Sequence, residues 1–196
     1  MSTASWGRSC ASSRGCCTRA WSTPTWSGSW RGAGSPGWPA GGGASGGAVR
    51  VHVVTHRVRG RVGRRPVVAA ARAALRATRA PADAEVEVAL VDDATMARLH
   101  RRYLGRRGTT DVLTFPDDGA PVLGEIVVSV DRARAQAAAV GHALWRELAL
   151  LVIHGVLHLR GYDDRTPAAA ARMHRRAAAI LATLDRRAAR RPRRRR

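Results

Sequence analysis

Between residues 49 and 185 the spacing of apolar positions changes repeatedly, and each change predicts an element. AEVEVALV, 84–91, alternates apolar and polar residues and predicts a strand. VRVHVVTHRV, 49–58, is β-branched and predicts another. Between them VVAAARAALRAT, 67–78, has the helical period, with Pro66 in the first turn, where its missing N–H costs nothing. A third strand is expected over DVLTFP, 111–116, stopped by Pro116. A fourth is expected over LGEIVVSV, 123–130, after a DDGAP turn. Asp92 or Asp93 is a natural cap for a helix reaching Tyr103, with a glycine-bearing loop at 104–110. Asp131 and Gly141 bracket a helix at 131–141. ALWRELALLVIHGVLHLR, 143–160, is apolar nearly all round, which predicts a central, buried helix. Thr166 and Pro167 open a last helix to residue 185. Helices first alternate with strands and then cluster. This predicts an α+β fold: one domain, a mixed four-stranded sheet and about five helices.

The pattern fails at both ends. Residues 1–48 hold five of the six tryptophans, all three cysteines and no acidic residue, and no period persists through GAGSPGWPAGGGASGG. Three readings compete for this segment: a zinc-binding or RNA-stacking tail, a targeting peptide, and a disordered or spurious upstream extension. The spacing of Cys10, Cys16 and Cys17 is poor for a zinc site, and the extension is preferred. The domain is then expected over 49–185. Residues 186–196, RRAARRPRRRR, are expected to be a solvated basic tail.

Charge adds a partner class. All 34 basic residues are arginine and the formal net charge is +20. Residues 49–185 alone carry 22 arginines against 14 acidic residues, a net of +8. Such a field favours a polyanion, nucleic acid first, although a lysine-free, Ala/Arg/Gly-rich chain is also what compositional bias produces. No run of 18 apolar residues exists, so no membrane span is expected. Cysteines confined to the first 17 residues fit a reducing cytoplasm.

The candidate chemistry lies in HGVLHLRGYDD, 154–164. His154 and His158, four apart on the central helix, share one face and can reach one ion. Gly161 can take the left-handed conformation that ends a helix, so the chain can return Asp164 to the same point. The pattern H-x3-H-x5-D places a metal site on the central helix, with His154, His158 and Asp164 as ligands. Its spacing is that of H-E-x-x-H-x-x-G-x-x-H zinc peptidases, but Gly155 stands where their general base would be, which disfavours proteolysis. Asp163 is a second candidate for the third ligand. His52, His56, His100 and His174 have no spacing that suggests a metal.

HGVLHLRGYDD resembles the signature H-G-x-L-H-L-x-G-Y-D-H of the YbeY family. TDVLTFP (110–116), LGEIVVS (123–129) and QAAAVGHALWRELALLVIHG (136–155) resemble further family stretches in the same order. The resemblance covers about 49–184. It implies a metal-dependent endoribonuclease specific for single strands, acting in 16S rRNA 3′-end maturation and ribosome quality control. It further implies one Zn2+ per chain and the rRNA and small ribosomal subunit as partners. Two positions depart from it. Asp164 replaces the third histidine; its charge should make bound water less acidic and could favour a harder divalent metal. Leu104 stands where the family commonly has an arginine after tyrosine. Arg102, Arg106, Arg107 and His142 are therefore the candidate substrate-binding residues, and no catalytic acid or base is assigned. Thr110, Asp111 and Phe115 are candidates to line the pocket. The alternative reading is a ribosome-associated assembly factor with a mainly structural metal and little nuclease activity.

Overall fold

A computed structural model describes residues 48–117 and 121–190. The expected N-terminal extension therefore lies, save its last residue, outside the described residues. So do most of the DDGAP turn and the last six residues of the expected basic tail.

The order of elements is β1 (Arg50–His56), α1 (Arg64–Ala77), β2 (Glu85–Val91), α2 (Asp93–Leu104), β3 (Val112–Pro116), β4 (Val122–Ser129), α3 (Val130–Val140), α4 (Leu144–Leu159) and α5 (Pro167–Ala189). The fold is the α+β type expected, a mixed sheet of four strands with five helices. The sheet order is β1-β2-β4-β3. β1, β2 and β4 run parallel, and β3 returns antiparallel on β4.

Strand alternation divides the core into two faces. Val86, Val88, Leu90, Ile126 and Val128 point to one side, where they pack with α1, α4 and α5. Ala89, Val91, Leu113 and Val127 point to the other, where Met96 and Leu99 of α2 cover them. α4 packs against α1, α3, α5, β3 and β4, which explains why it is apolar around most of its circumference. Among the described residues no single helix is long and apolar enough to cross a membrane.

Two glycines set how closely the layers approach. A Cβ on Gly155 would lie 2.6 Å from Ile126 Cγ2, so α4 rests on β4 at a separation only glycine permits. Gly124 has φ 136°. It lies where the β2–β4 register slips, since Glu85 pairs with Val122 but Val86 pairs with Gly124. A Cβ there would collide with the Phe115 carbonyl oxygen and come within 2.8 Å of Leu159 Cδ2.

Local chemistry corrects two boundaries and decides between the two caps expected for α2. α3 is capped by Ser129, whose Oγ accepts from Arg132 N at 3.1 Å. Asp131 instead accepts from Asp93 N, tying α3 to the start of α2. Asp92 is the cap of α2, accepting from Thr95 N at 2.8 Å. α5 runs to Ala189, beyond the end expected at 185. Arginine and alanine are strong helix formers, so the run RRAA continues the helix.

Candidate metal centre

α4 ends at Leu159, the chain turns through Gly161 (φ 79°), and α5 starts at Pro167 under a Thr166 cap. That short connection carries Asp164 back over the last turns of α4. His154 Nε2 and His158 Nε2 are 3.0 Å apart. Asp164 Oδ2 is 3.8 Å from the first and 3.9 Å from the second. These three residues form a group able to hold a metal ion. Ligand atoms about 2.0–2.2 Å from a common ion can be at most about 4.4 Å apart, and all three separations satisfy that bound.

The protonation states suit a cation. His158 Nδ1 lies 3.1 Å from the Tyr162 carbonyl oxygen. A carbonyl can only accept, so Nδ1 carries the proton and donates, leaving the Nε2 lone pair for the site. Burial, and then the neighbouring His158 and His174, push the pKa of His154 down to about 3. Burial also lowers His158, against Asp164 and the Tyr162 carbonyl, which raise it. Both imidazoles are thus held neutral, the form that binds metal. Burial raises the pKa of Asp164, and His158 opposes this. Asp164 Oδ1 is buried and has no hydrogen-bond partner. A half-buried carboxylate with an unsatisfied oxygen beside two lone pairs is costly in the protein alone and is satisfied by a cation. The residues present therefore fit a divalent metal.

Asp163 takes no part in the group. Its two oxygens accept from Arg165 N at 2.9 Å and Arg165 Nε at 2.8 Å, at the exposed side of the turn. The side chain required for a peptidase base is excluded sterically, since any Cβ at position 155 points into Ile126.

The candidate substrate residues lie elsewhere. Arg102 is exposed near the end of α2, with its guanidinium 5.6 Å from the Tyr103 ring centroid. Arg106 and Arg107 lie in the following loop, which leads to the edge strand β3. His142 sits in the α3–α4 turn with Nε2 3.0 Å from Glu147 Oε2. Glu147 is buried, and burial raises its pKa, with His142 opposing. Seven residues separate Glu147 from His154, so this pair lies about 10 Å along the same face of α4. Asp111 is tied to α3 by Gln136 Nε2 at 3.0 Å, and Phe115 stacks edge-on against Tyr103.

Two contributors were not visible in the spacing. The Tyr162 carbonyl is backbone, so only the turn geometry reveals it. His174 lies on α5, and its charge reaches His154 and Asp164. The pattern along α5 contains no sign of which flank meets α4.

Known proteins resemble this chain in sequence and in fold. The family model described as Endoribonuclease YbeY matches residues 61–185. The Endoribonuclease YbeY of Moorella thermoacetica is 48% identical over 113 residues, 51% of this chain and 72% of that one. That of Chloroflexus aggregans is 45% identical over 127 residues, 59% of this chain and 83% of that one. The solution structure of TM1509 from Thermotoga maritima is similar in fold, with a TM-score of 0.51 and 23% identity. The match covers 70% of this chain and 93% of that one.

Proposed function

The chain belongs to the YbeY endoribonuclease family, and from that premise we propose that it cleaves single-stranded RNA with the help of a zinc ion held by His154, His158 and Asp164. Its expected substrate is rRNA, at the 3′ end of 16S rRNA during maturation and quality control of the small ribosomal subunit. The observation that carries the reading is the convergence of two neutral imidazoles and one carboxylate, with His158 oriented by the Tyr162 carbonyl.

When bound, the ion would supply Lewis-acid polarisation of a phosphodiester and a water of lowered pKa. The protein's part is to hold His158 in one tautomer, to keep both imidazoles neutral by burial, and to bring a negative charge through Asp164. Arg102, Arg106 and Arg107 are proposed to contact phosphate, which their planar forks suit. Such contacts position a strand without reading its sequence.

Purified protein should cleave single-stranded RNA, lose that activity in chelator and regain it with zinc. RNA left intact under every divalent metal, with stoichiometric metal still bound, would instead favour an assembly factor with a structural metal. Asp164→His tests the departure from the family signature. Burial raises the proton affinity of the Asp164 carboxylate, with His158 opposing, whereas burial favours the neutral imidazole that binds metal. The substitution is expected to tighten zinc binding about 10-fold, read by competition with a chromogenic chelator. Unchanged or weaker binding would show that Asp164 is already the better donor here.

A further inference from the structure

α1 and α5 pack side by side on the α4 face of the sheet, and both turn arginines outward. α1 buries Val67, Ala70, Ala71 and Ala74. At 100° per residue, Arg65, Arg72 and Arg76 fall within about 40° of one another on the opposite side, and all three are exposed. α5 buries Met173, Ala177, Ile180 and Leu184. Arg172, Arg175, Arg176, Arg186, Arg187 and the C-cap Arg190 share an arc of about 120° that borders that stripe on one side, and all six are exposed. The flanks of this arc are identified by contacts. On one side Arg146 of α4 pairs with Asp185 at 3.3 Å. On the other Arg176 donates to the Ala77 carbonyl oxygen at the end of α1, next to Arg76. The two sets of arginines therefore meet in one surface.

Compositional bias accounts for frequent arginine but not for where the acids are. Residues 49–185 contain 14 acidic residues. α1 has none and α5 has only Asp185, which Arg146 engages. Among the described residues none of the nine arginines is in an ion pair. Pairs such as Arg72/Arg76 and Arg172/Arg176, four apart with the same sign, destabilise a helix. Among the described residues no acidic partner offsets that repulsion, whereas a polyanion would. From Arg172 to Arg190 the row is about 27 Å long, room for several successive phosphates. It starts near the metal group, because α5 begins three residues after Asp164.

We infer that the α1–α5 arginine face binds the sugar-phosphate backbone of RNA outside the cleavage site. The inference rests on the proposed ribonuclease reading for its choice of RNA, but the surface itself reads phosphate and should accept either sugar.

The test compares two charge-reversed forms of the full chain with equal net charge. One is Arg72→Glu/Arg76→Glu/Arg175→Glu. The other, in the β1–α1 loop, is Arg57→Glu/Arg59→Glu/Arg61→Glu, three exposed arginines. Affinity is measured by fluorescence anisotropy for long single strands of RNA and of DNA, after circular dichroism has shown both forms folded. DNA supplies the phosphates without being a ribonuclease substrate, so the comparison stands even if no variant cleaves RNA. The α1–α5 form is expected to bind both strands about 10–100-fold more weakly, with a log–log salt slope shallower by about 2. The control is expected to stay within about 3-fold of wild type. Equal losses in the two forms would reduce the effect to net charge and overturn the inference. So would unchanged nucleic-acid binding, including the case where only capture by phosphatidylserine vesicles is lost.

Discussion

His158→Ala should lose the metal and RNA cleavage together. The residue does three things that alanine cannot. Its Nε2 is one of three donors, its Nδ1–H satisfies the Tyr162 carbonyl, and its ring fills a site that is 9% exposed. Removing only an outer hydrogen-bond partner of a ligand typically costs about 10–100-fold in metal affinity, so removing a ligand should exceed that. Elemental analysis should fall from about one zinc per chain to nearly none. Thermal melting separates this from unfolding. A metal at about 100 times its Kd stabilises the folded state by about 2.7 kcal/mol, so zinc should raise the melting temperature of the wild type. It should leave that of the variant unmoved. Full zinc occupancy in His158→Ala would reject the ligand set.

Gly124→Ala should be the most damaging of the small substitutions outside the metal group. At φ 136° an L-residue is strained, and the new methyl would collide with the Phe115 carbonyl, a backbone atom that cannot rotate away. Strain and overpacking together are expected to cost about 3–5 kcal/mol. That is a large part of the roughly 5–15 kcal/mol by which domains are stable. Urea denaturation would measure it; a loss under about 1 kcal/mol would mean that β3 moves aside freely. Because Leu159 is the second neighbour at 2.8 Å and follows His158 directly, the surviving protein should also bind metal more weakly.

The helix that carries the site was legible because its apolar residues leave almost no polar face, a signal that propensity cannot mimic. The histidine pair was legible for a related reason: four residues make one turn, so adjacency on the helix is adjacency in space. The order β1-β2-β4-β3 was not, since parallel neighbours are joined by long crossovers and any of several pairings would bury the same faces. The cap of α3 was misread for a local reason. Ser129 and Asp131 are both good capping residues, and only the end of β4 decides between them. His174 was set aside because spacing along α5 is blind to α4. Asp164 and Asp163 could not be separated by residue type; the Arg165 contacts separate them.

The three candidate ligands are anchored in very different ways. His154 and His158 grow from the most buried helix, between Ile153, Val156 and Leu157, so their amides should exchange with solvent only when the whole domain opens. Asp164 sits beyond Gly161 on a connection of a few residues, whose exchange should be governed by local opening. An ion held by all three would thus be gripped on one side by the core and on the other by a latch. Its residence time would be set by how often the latch lifts, while its return would find the two imidazoles already in place.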